Sequence, residues 1–356
     1  MIIREIKFIP YKLKFISPLK TSKETFEYRK GFLIRLTDSG GNNFYGDVAP
    51  LVSFGTETLE DAKIKLTSIQ ALLTGKDYPD IFNFINSFEL HGFPAVKFGI
   101  EQALINFAFF HNFKPVTEQF NSGEEIHIPV SGVIGISGKT ECVNKIKEFI
   151  KLGIDTVKLK IGDDFNNDLN CINSILNLNN NVKLRLDVNG KWNLRKAKTN
   201  FAKLPNSRIE FIEQPVKNLE GLNKLAGLTK IKIAPDESVK NFKTAMQIID
   251  NRNFEFIIIK PQVLGSIFDT LKIITRANSK GVKVIISSVF ESVVGKSILY
   301  LLAAQTNHGY AHGLTANKIF ENDLFEAPFK FYEGKIILTK NEFNKFVRIL
   351  SESEYA

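Results

Sequence analysis

Five charged residues end successive apolar runs: Lys160, Asp187, Glu213, Asp236 and Lys260. They stand 27, 26, 23 and 24 residues apart. One such charge is ordinary at a solvated strand end. Five, in the order Lys, Asp, Glu, Asp, Lys, are harder to dismiss, because charges brought together away from water need partners. If the runs are parallel strands closed into a barrel, all five side chains converge on one cavity at the C-terminal rim. Three converging carboxylates repel one another unless a cation neutralises them. Oxygen-only ligation with room left for water and substrate favours Mg2+, with Mn2+ as a substitute.

The elements that must position these residues show in the rhythm of the chain. From about Ile126, short β-branched runs recur roughly every 25 residues, each followed by a helical pattern. They include T-V-K-L-K-I-G, V-K-L-R-L-D-V-N, R-I-E-F-I-E-Q-P, F-E-F-I-I-I-K-P and V-K-V-I-I-S-S-V, with a weaker eighth segment near Tyr310 to Leu314. Such repetition predicts parallel strands joined by crossover helices, a (β/α)7β-type (TIM-like) barrel over residues 121–323. Residues 1–120 read differently. Strand-like segments at Ile2 to Leu13, Gly31 to Asp38 and Phe44 to Val48 precede helices at Thr58 to Leu73 and Phe93 to Phe110, an α+β unit expected to cap the barrel. The tail, 324–356, holds one more strand pattern at Gly334 to Leu338 and is expected to return to the N-terminal unit.

Composition narrows the class. The formal charge is +9, but the lysines are scattered rather than striped with aromatics, so no nucleic-acid partner is expected. A basic surface suits a small anionic substrate instead. Cys142 and Cys171 are too few for a disulfide framework. No run has signal-peptide or membrane-span character, which predicts a cytoplasmic enzyme with no membrane partner and leaves a homo-oligomer open.

The segments T-V-K-L-K-I-G, L-D-V-N-G-K-W, F-I-E-Q-P, A-P-D-E-S and I-I-I-K-P-Q resemble the muconate-lactonizing subgroup of the enolase superfamily, and the similarity runs through nearly the whole chain. G-D-V-A-P-L-V-S-F-G-T-E-T-L resembles its capping-domain loop. The resemblance implies Asp187, Glu213 and Asp236 as metal ligands, Lys160 as the base on one face of the substrate and Lys260 as the lysine on the other. The superfamily's use of Lys or His bases with Mg2+-stabilised enediolates is a known pattern. It is also physically reasonable: a proton beside a carboxylate becomes acidic only where the dianion left behind is stabilised. Lys158 shares the facing of Lys160 and is expected to favour its neutral form by repulsion. Asn189 is expected to orient ligands or water, and Glu237 to pair with Lys260 or Lys158. Trp192 reads as cavity wall or barrel packing, and His308 and His312 as structural.

The catalytic set alone does not choose a reaction. V-I-I-S-S-V-F-E-S-V-V-G resembles the S-S-x-x-E-S-x-x-G segment of o-succinylbenzoate synthases. Ser287 and Ser288, with the amides at the following helix start, are expected to hold a second substrate carboxylate, and Glu291 to complement that helix or join a polar network. A-H-G-L-T-A-N-K-I-F lacks the D-x-D pair with which dipeptide epimerases hold an ammonium. Phe26 and Phe54, in loops expected to close at Thr21 to Phe26 and Ala49 to Thr56, suit an apolar ring. The resemblance thus implies a hydro-lyase of menaquinone biosynthesis that forms o-succinylbenzoate. N-succinylamino-acid racemase is the alternative; dipeptide epimerase, muconate cycloisomerase and a non-enzymatic metal-binding scaffold rank lower.

Overall fold

A computed structural model describes residues 2–20, 25–77, 79, 83, 90–120, 125–178, 181–205, 208–314, 318–327 and 329–353. The chain opens with two long antiparallel strands, β1 (Ile3–Lys20) and β2 (Thr25–Asp38), and β3 (Asn43–Val48) adds to the far edge of β2. β1 outruns its expected end at Leu13. The alternation continues as Tyr11, Leu13 and Phe15 inward against Lys12 and Lys14 outward, so the lysines that look like a break are the solvent face. Thr21 to Glu24, the tip of one expected capping loop, lie outside the described residues.

Helix Leu59–Leu73 begins where Thr58 accepts a hydrogen bond from the Asp61 amide, with Glu60 and Asp61 favourably placed in its first turn. Helix Pro94–Phe110 is buried along almost its whole length, since it lies between the three-stranded sheet and the barrel. Strand and helix touch backbone to backbone: a Cβ on Gly46 would stand 1.8 Å from the Gly99 carbonyl oxygen, which requires glycine there.

After β4 (Glu125–Pro129), the barrel begins with β5 (Gly132–Ile134), continues through β6 (Thr156–Lys160), β7 (Lys183–Asp187), β8 (Ile209–Glu213) and β9 (Ile233–Ala234), and includes β10 (Phe256–Ile259) and β11 (Lys283–Ile286). β5 to β9 form one parallel sheet and β10 pairs in parallel with β11. The Ile258 amide donates to Pro235 O at 2.9 Å and joins the two sheets. The eighth segment closes the ring. Gly313 N donates to Ile286 O at 2.9 Å, and Ser131 N to His312 O at 2.9 Å. The fold is therefore a TIM-like (β/α) barrel with an α+β capping domain.

One apolar run behaves differently from its expectation. H-I-P-V-S-G-V-I-G reads as a single barrel strand, but the chain changes partners at Val130. β4 pairs antiparallel with β13 (Lys335–Thr339), itself hairpinned to β12 (Lys330–Tyr332), and only β5 joins the barrel. The tail helix Lys340–Glu352 then packs on β3, and Tyr45 Oη donates to Ser353 O at 2.7 Å. Among the described residues no helix is long and apolar enough to cross a membrane.

Two buried carboxylates of the capping domain reach into the barrel layer and cap its helices. Glu101 accepts from Ser266 Oγ at 2.9 Å and from the Ile267 amide at 2.6 Å, at the start of helix Ile267–Lys280. Asp47 accepts from the Ser292 amide at 2.9 Å and its hydroxyl at 2.8 Å, at the start of helix Val293–Ala304. Burial pushes Glu101 from its ordinary 4.5 up to about 7. A carboxyl whose folded-state value is raised contributes most stability below its unfolded value and loses it as pH rises through the folded one. The melting temperature should therefore carry a fall from Glu101 between about pH 4.5 and 7, and Glu101→Gln should flatten that part of the profile. Parallel profiles for the two proteins would refute this linkage.

Candidate active site

Each of the five strand-end residues sits where its strand leaves the barrel, and all five line one cavity of about 780 Å³. Alternation explains the facing. In β6, Lys158 and Lys160 point inward while Val157 and Leu159 are buried against the helix layer. Asp187 and Glu213 end β7 and β8 in register, and Asp236 follows β9. Lys260 follows β10, across the ring from Lys160.

The charges are densely paired. Lys160 Nζ donates to Asp187 Oδ2 at 2.6 Å and to Asn189 Oδ1 at 2.9 Å. Lys158 Nζ bridges Asp187 Oδ2 at 2.8 Å and Glu213 Oε1 at 2.7 Å. Lys260 Nζ contacts both Asp236 oxygens, at 2.7 and 2.5 Å. Burial alone would lower both lysines, but the Asp187 and Glu213 charges outweigh it at Lys158, as Asp236 does at Lys260, so both are raised. Burial would likewise raise Asp187 and Asp236. Lys158 and Lys160 hold the first, and Lys260 the second, below the usual carboxylate range. Glu213 is the exception: burial and then the Asp187 charge push it up to about 8, and its carboxyl hydrogen-bonds Asp236.

This donor set fits a divalent cation. Three carboxyl groups meet in a buried pocket, where burial and the neighbouring Asp187 charge raise Glu213, and a divalent cation there would offset both costs. Among the described residues no three His, Cys, Asp or Glu side chains have their donor atoms grouped as ligands. Lysine ammonium groups stand between the carboxylates instead.

The readings of Glu237 and of the helix-start amides need correction, whereas Trp192 and His312 take the packing and structural roles expected of them. Glu237 pairs with neither lysine; it accepts from Asn189 Nδ2 at 2.9 Å. Asn189, in the left-handed region at φ 50°, thus links Lys160 to Glu237. Trp192 packs edge-on against Phe165 and Phe201 and does not line the cavity. His312 is buried and accepts the Ile286 amide through Nδ1 at 3.1 Å, a structural role. The amides expected to receive a substrate carboxylate are already taken: Val289 N by Glu291, Ser292 N by Asp47 and Val293 N by Asp323. Ser287 and Ser288 line the cavity; Glu291 lies buried behind them. Thr315 to Asn317 of the eighth segment lie outside the described residues.

The cap supplies an apolar roof. Phe54 lies under Lys260 Nζ at 5.3 Å and meets Phe290 edge-on at 6.1 Å, and Phe15 meets Phe290 from the other side at 6.2 Å. Phe26 instead pairs with Leu19 and packs with the neighbouring cluster. Sequence reasoning missed Arg185, buried at the cavity floor two residues before Asp187, although period-two facing would have found it. It also missed Arg29, which donates to Pro50 O at 2.8 Å and Phe290 O at 3.3 Å and so ties the capping loop to the seventh strand end. No local signal marks that role.

Comparison with known proteins gives two family matches: Enolase C-terminal domain-like over residues 141–342, and MenC, N-terminal domain over 3–107. An L-Ala-D/L-Glu epimerase of Francisella tularensis subsp. novicida is 25% identical over 348 residues, covering 94% of each chain. An o-succinylbenzoate synthase of Aliivibrio fischeri is 27% identical over 326 residues, covering 90% of this chain and 93% of its own. Among solved structures, the substrate-liganded L-Ala-D/L-Glu epimerase of Bacillus subtilis superposes with a TM-score of 0.84 at 23% identity, covering 94% and 96% of the two chains. The dipeptide epimerase of Enterococcus faecalis, complexed with Mg and L-Leu-L-Tyr, gives 0.82 at 24%, covering 95% and 97%. Sequence relatives of both activities therefore stand at similar distance.

Proposed function

The chain belongs to the enolase superfamily, and from that premise we propose that it is an o-succinylbenzoate synthase, converting 2-succinyl-6-hydroxy-2,4-cyclohexadiene-1-carboxylate to o-succinylbenzoate and water. The observation that carries this reading is how the cavity divides. Its charged residues come from the second to sixth strands, whereas the seventh, eighth and first contribute Ser287, Ser288, Gly313 and Ser131 under an aromatic roof. An amino-terminal ammonium would find no acid lining that side among the described residues, and an unpaired buried ammonium is costly. A ring with a neutral or anionic side arm suits it better. The MenC N-terminal match supports the same reading.

Asp187, Glu213 and Asp236 would hold Mg2+, which when bound supplies positive charge to the substrate carboxylate and so stabilises the dianion left by proton loss. With Asp187 serving as a metal ligand, Lys160 would keep Asn189 as its side-chain partner. Neutral Lys160 then takes the proton from the ring carbon bearing the carboxylate. The C–O bond at the neighbouring carbon breaks, and Lys160 returns that proton to the departing hydroxide as water. Lys260 stays protonated across the cavity and offsets negative charge on the ring. Asn189 orients Lys160, and the roof of Phe54 and Phe290 excludes water.

Racemisation of an N-succinylamino acid is the second reading, favoured by lysines on both sides of the cavity. The Mg2+-loaded enzyme should aromatise the cyclohexadiene and show little α-proton exchange with an N-succinylamino acid in D2O, followed by NMR. Rapid exchange with negligible aromatisation would make it a racemase.

A further inference from the structure

Ser287 and Ser288 are adjacent and both line the cavity, yet their hydroxyls are wired differently. Ser287 Oγ has no hydrogen-bond partner among the described residues and lies against Gly313, where an added Cβ would come within 2.8 Å of it. Ser288 Oγ donates to Glu291 Oε2 and accepts the Phe290 amide at 3.0 Å. Glu291 is fully buried and does not reach the cavity; both its oxygens also accept the Val289 amide, at 3.1 and 3.0 Å.

A carboxylate has no hydrogen to give, so Ser288 spends its only one on Glu291. One lone pair of Ser288 remains for a ligand. The loop is built to keep this arrangement. Phe290 is held at φ 65°, a strained conformation for a bulky side chain, and Arg29 takes its carbonyl while Phe15 and Phe54 flank its ring.

We propose that Glu291 is a positioning residue that fixes Ser288 as a hydrogen-bond acceptor, so that this corner of the cavity selects a ligand group carrying an N–H or O–H donor, while Ser287 serves an oxygen acceptor beside it. This rests on the cavity being the substrate site. It replaces the expectation that both serines donate to a carboxylate.

The test compares two ligands that differ in one group: N-succinyl-L-phenylglycine, with an amide N–H, and O-succinyl-L-mandelate, with an ester oxygen in its place. Their inhibition constants are measured by competition against o-succinylbenzoate on the Mg2+-loaded enzyme. The amide should bind about tenfold tighter, the difference one hydrogen bond to a polar site makes. Ser288→Ala should bring the ratio to about one. Glu291→Gln should do the same or invert it, because a glutamine amide can donate to Ser288 and free its hydrogen. A merely structural role for Glu291 would weaken both ligands alike and leave the ratio intact. A wild-type ratio at or below one, a ratio unchanged by Ser288→Ala, or failure of both ligands to compete would overturn the assignment. Should Glu291→Gln fail to fold, the wild-type and Ser288→Ala ratios still decide. Aromatisation of the cyclohexadiene is assayed separately. Its absence beside a tenfold preference would sink the proposed reaction and spare this subsite; turnover without preference would do the reverse.

Discussion

Lys160→Ala should lose o-succinylbenzoate formation by about 10³-fold or more, because it removes the group proposed to carry the proton both ways, and each such transfer contributes roughly 10²–10⁴. Lys260→Ala should also fail, through loss of charge rather than of a base. The arginine variants separate the two roles. Lys260 Nζ contacts both oxygens of Asp236, at 2.7 and 2.5 Å, a geometry that a guanidinium fork reproduces with its charge intact. Lys160→Arg keeps charge but cannot act as a base at accessible pH. Lys260→Arg should therefore retain more kcat than Lys160→Arg, measured under single-turnover conditions. Equal losses would argue that both lysines move protons, as racemisation requires.

Removal of the metal is expected to have a comparable effect. EDTA-treated protein should be inactive and recover with added Mg2+; full activity without metal would end the proposed mechanism. The ligand variants should differ in an informative way. Asp187 is buried and contacts both Lys158 and Lys160, so Asp187→Ala removes the carboxylate the two ammonium groups share, and breaking a buried pair costs about 3–5 kcal/mol. Glu213 is pushed up to about 8 by burial and the Asp187 charge, so of the three carboxyl groups it gains most from its neutral form, which glutamine imitates. Glu213→Gln should leave metal-free stability almost unchanged while weakening Mg2+ binding, read by calorimetry alongside thermal melts. A large loss of metal-free stability would show that Glu213 was ionised.

Much of the fold and the candidate site is legible in the chain because barrel geometry makes them local. A strand of about five residues buries its alternate side chains, and its last inward position must face the rim, so a charge there declares itself. Lys160, Asp187, Glu213, Asp236 and Lys260 are all readable in this way. Partnership is not local. Facing puts Lys158 beside Lys160 but cannot say that it bridges Asp187 and Glu213. The amides after Ser288 look open to a ligand because their acceptors, Asp47 and Asp323, come from elsewhere in the chain. The change of partners at Val130 is hidden for the same reason: alternation is the same on either side of it, and only the distant β13 distinguishes β4 from β5.

That pairing has a consequence for how the molecule is made. β4, which leads into the barrel, finds its antiparallel neighbour in β13, synthesised only after the whole barrel, and the helix after it packs back on β3. Long-range pairing of this kind is slow and leaves edges open until it forms. A nascent chain stalled before β13 would hold every proposed catalytic residue and still expose the edge of β4, making it a client for chaperones rather than a working enzyme.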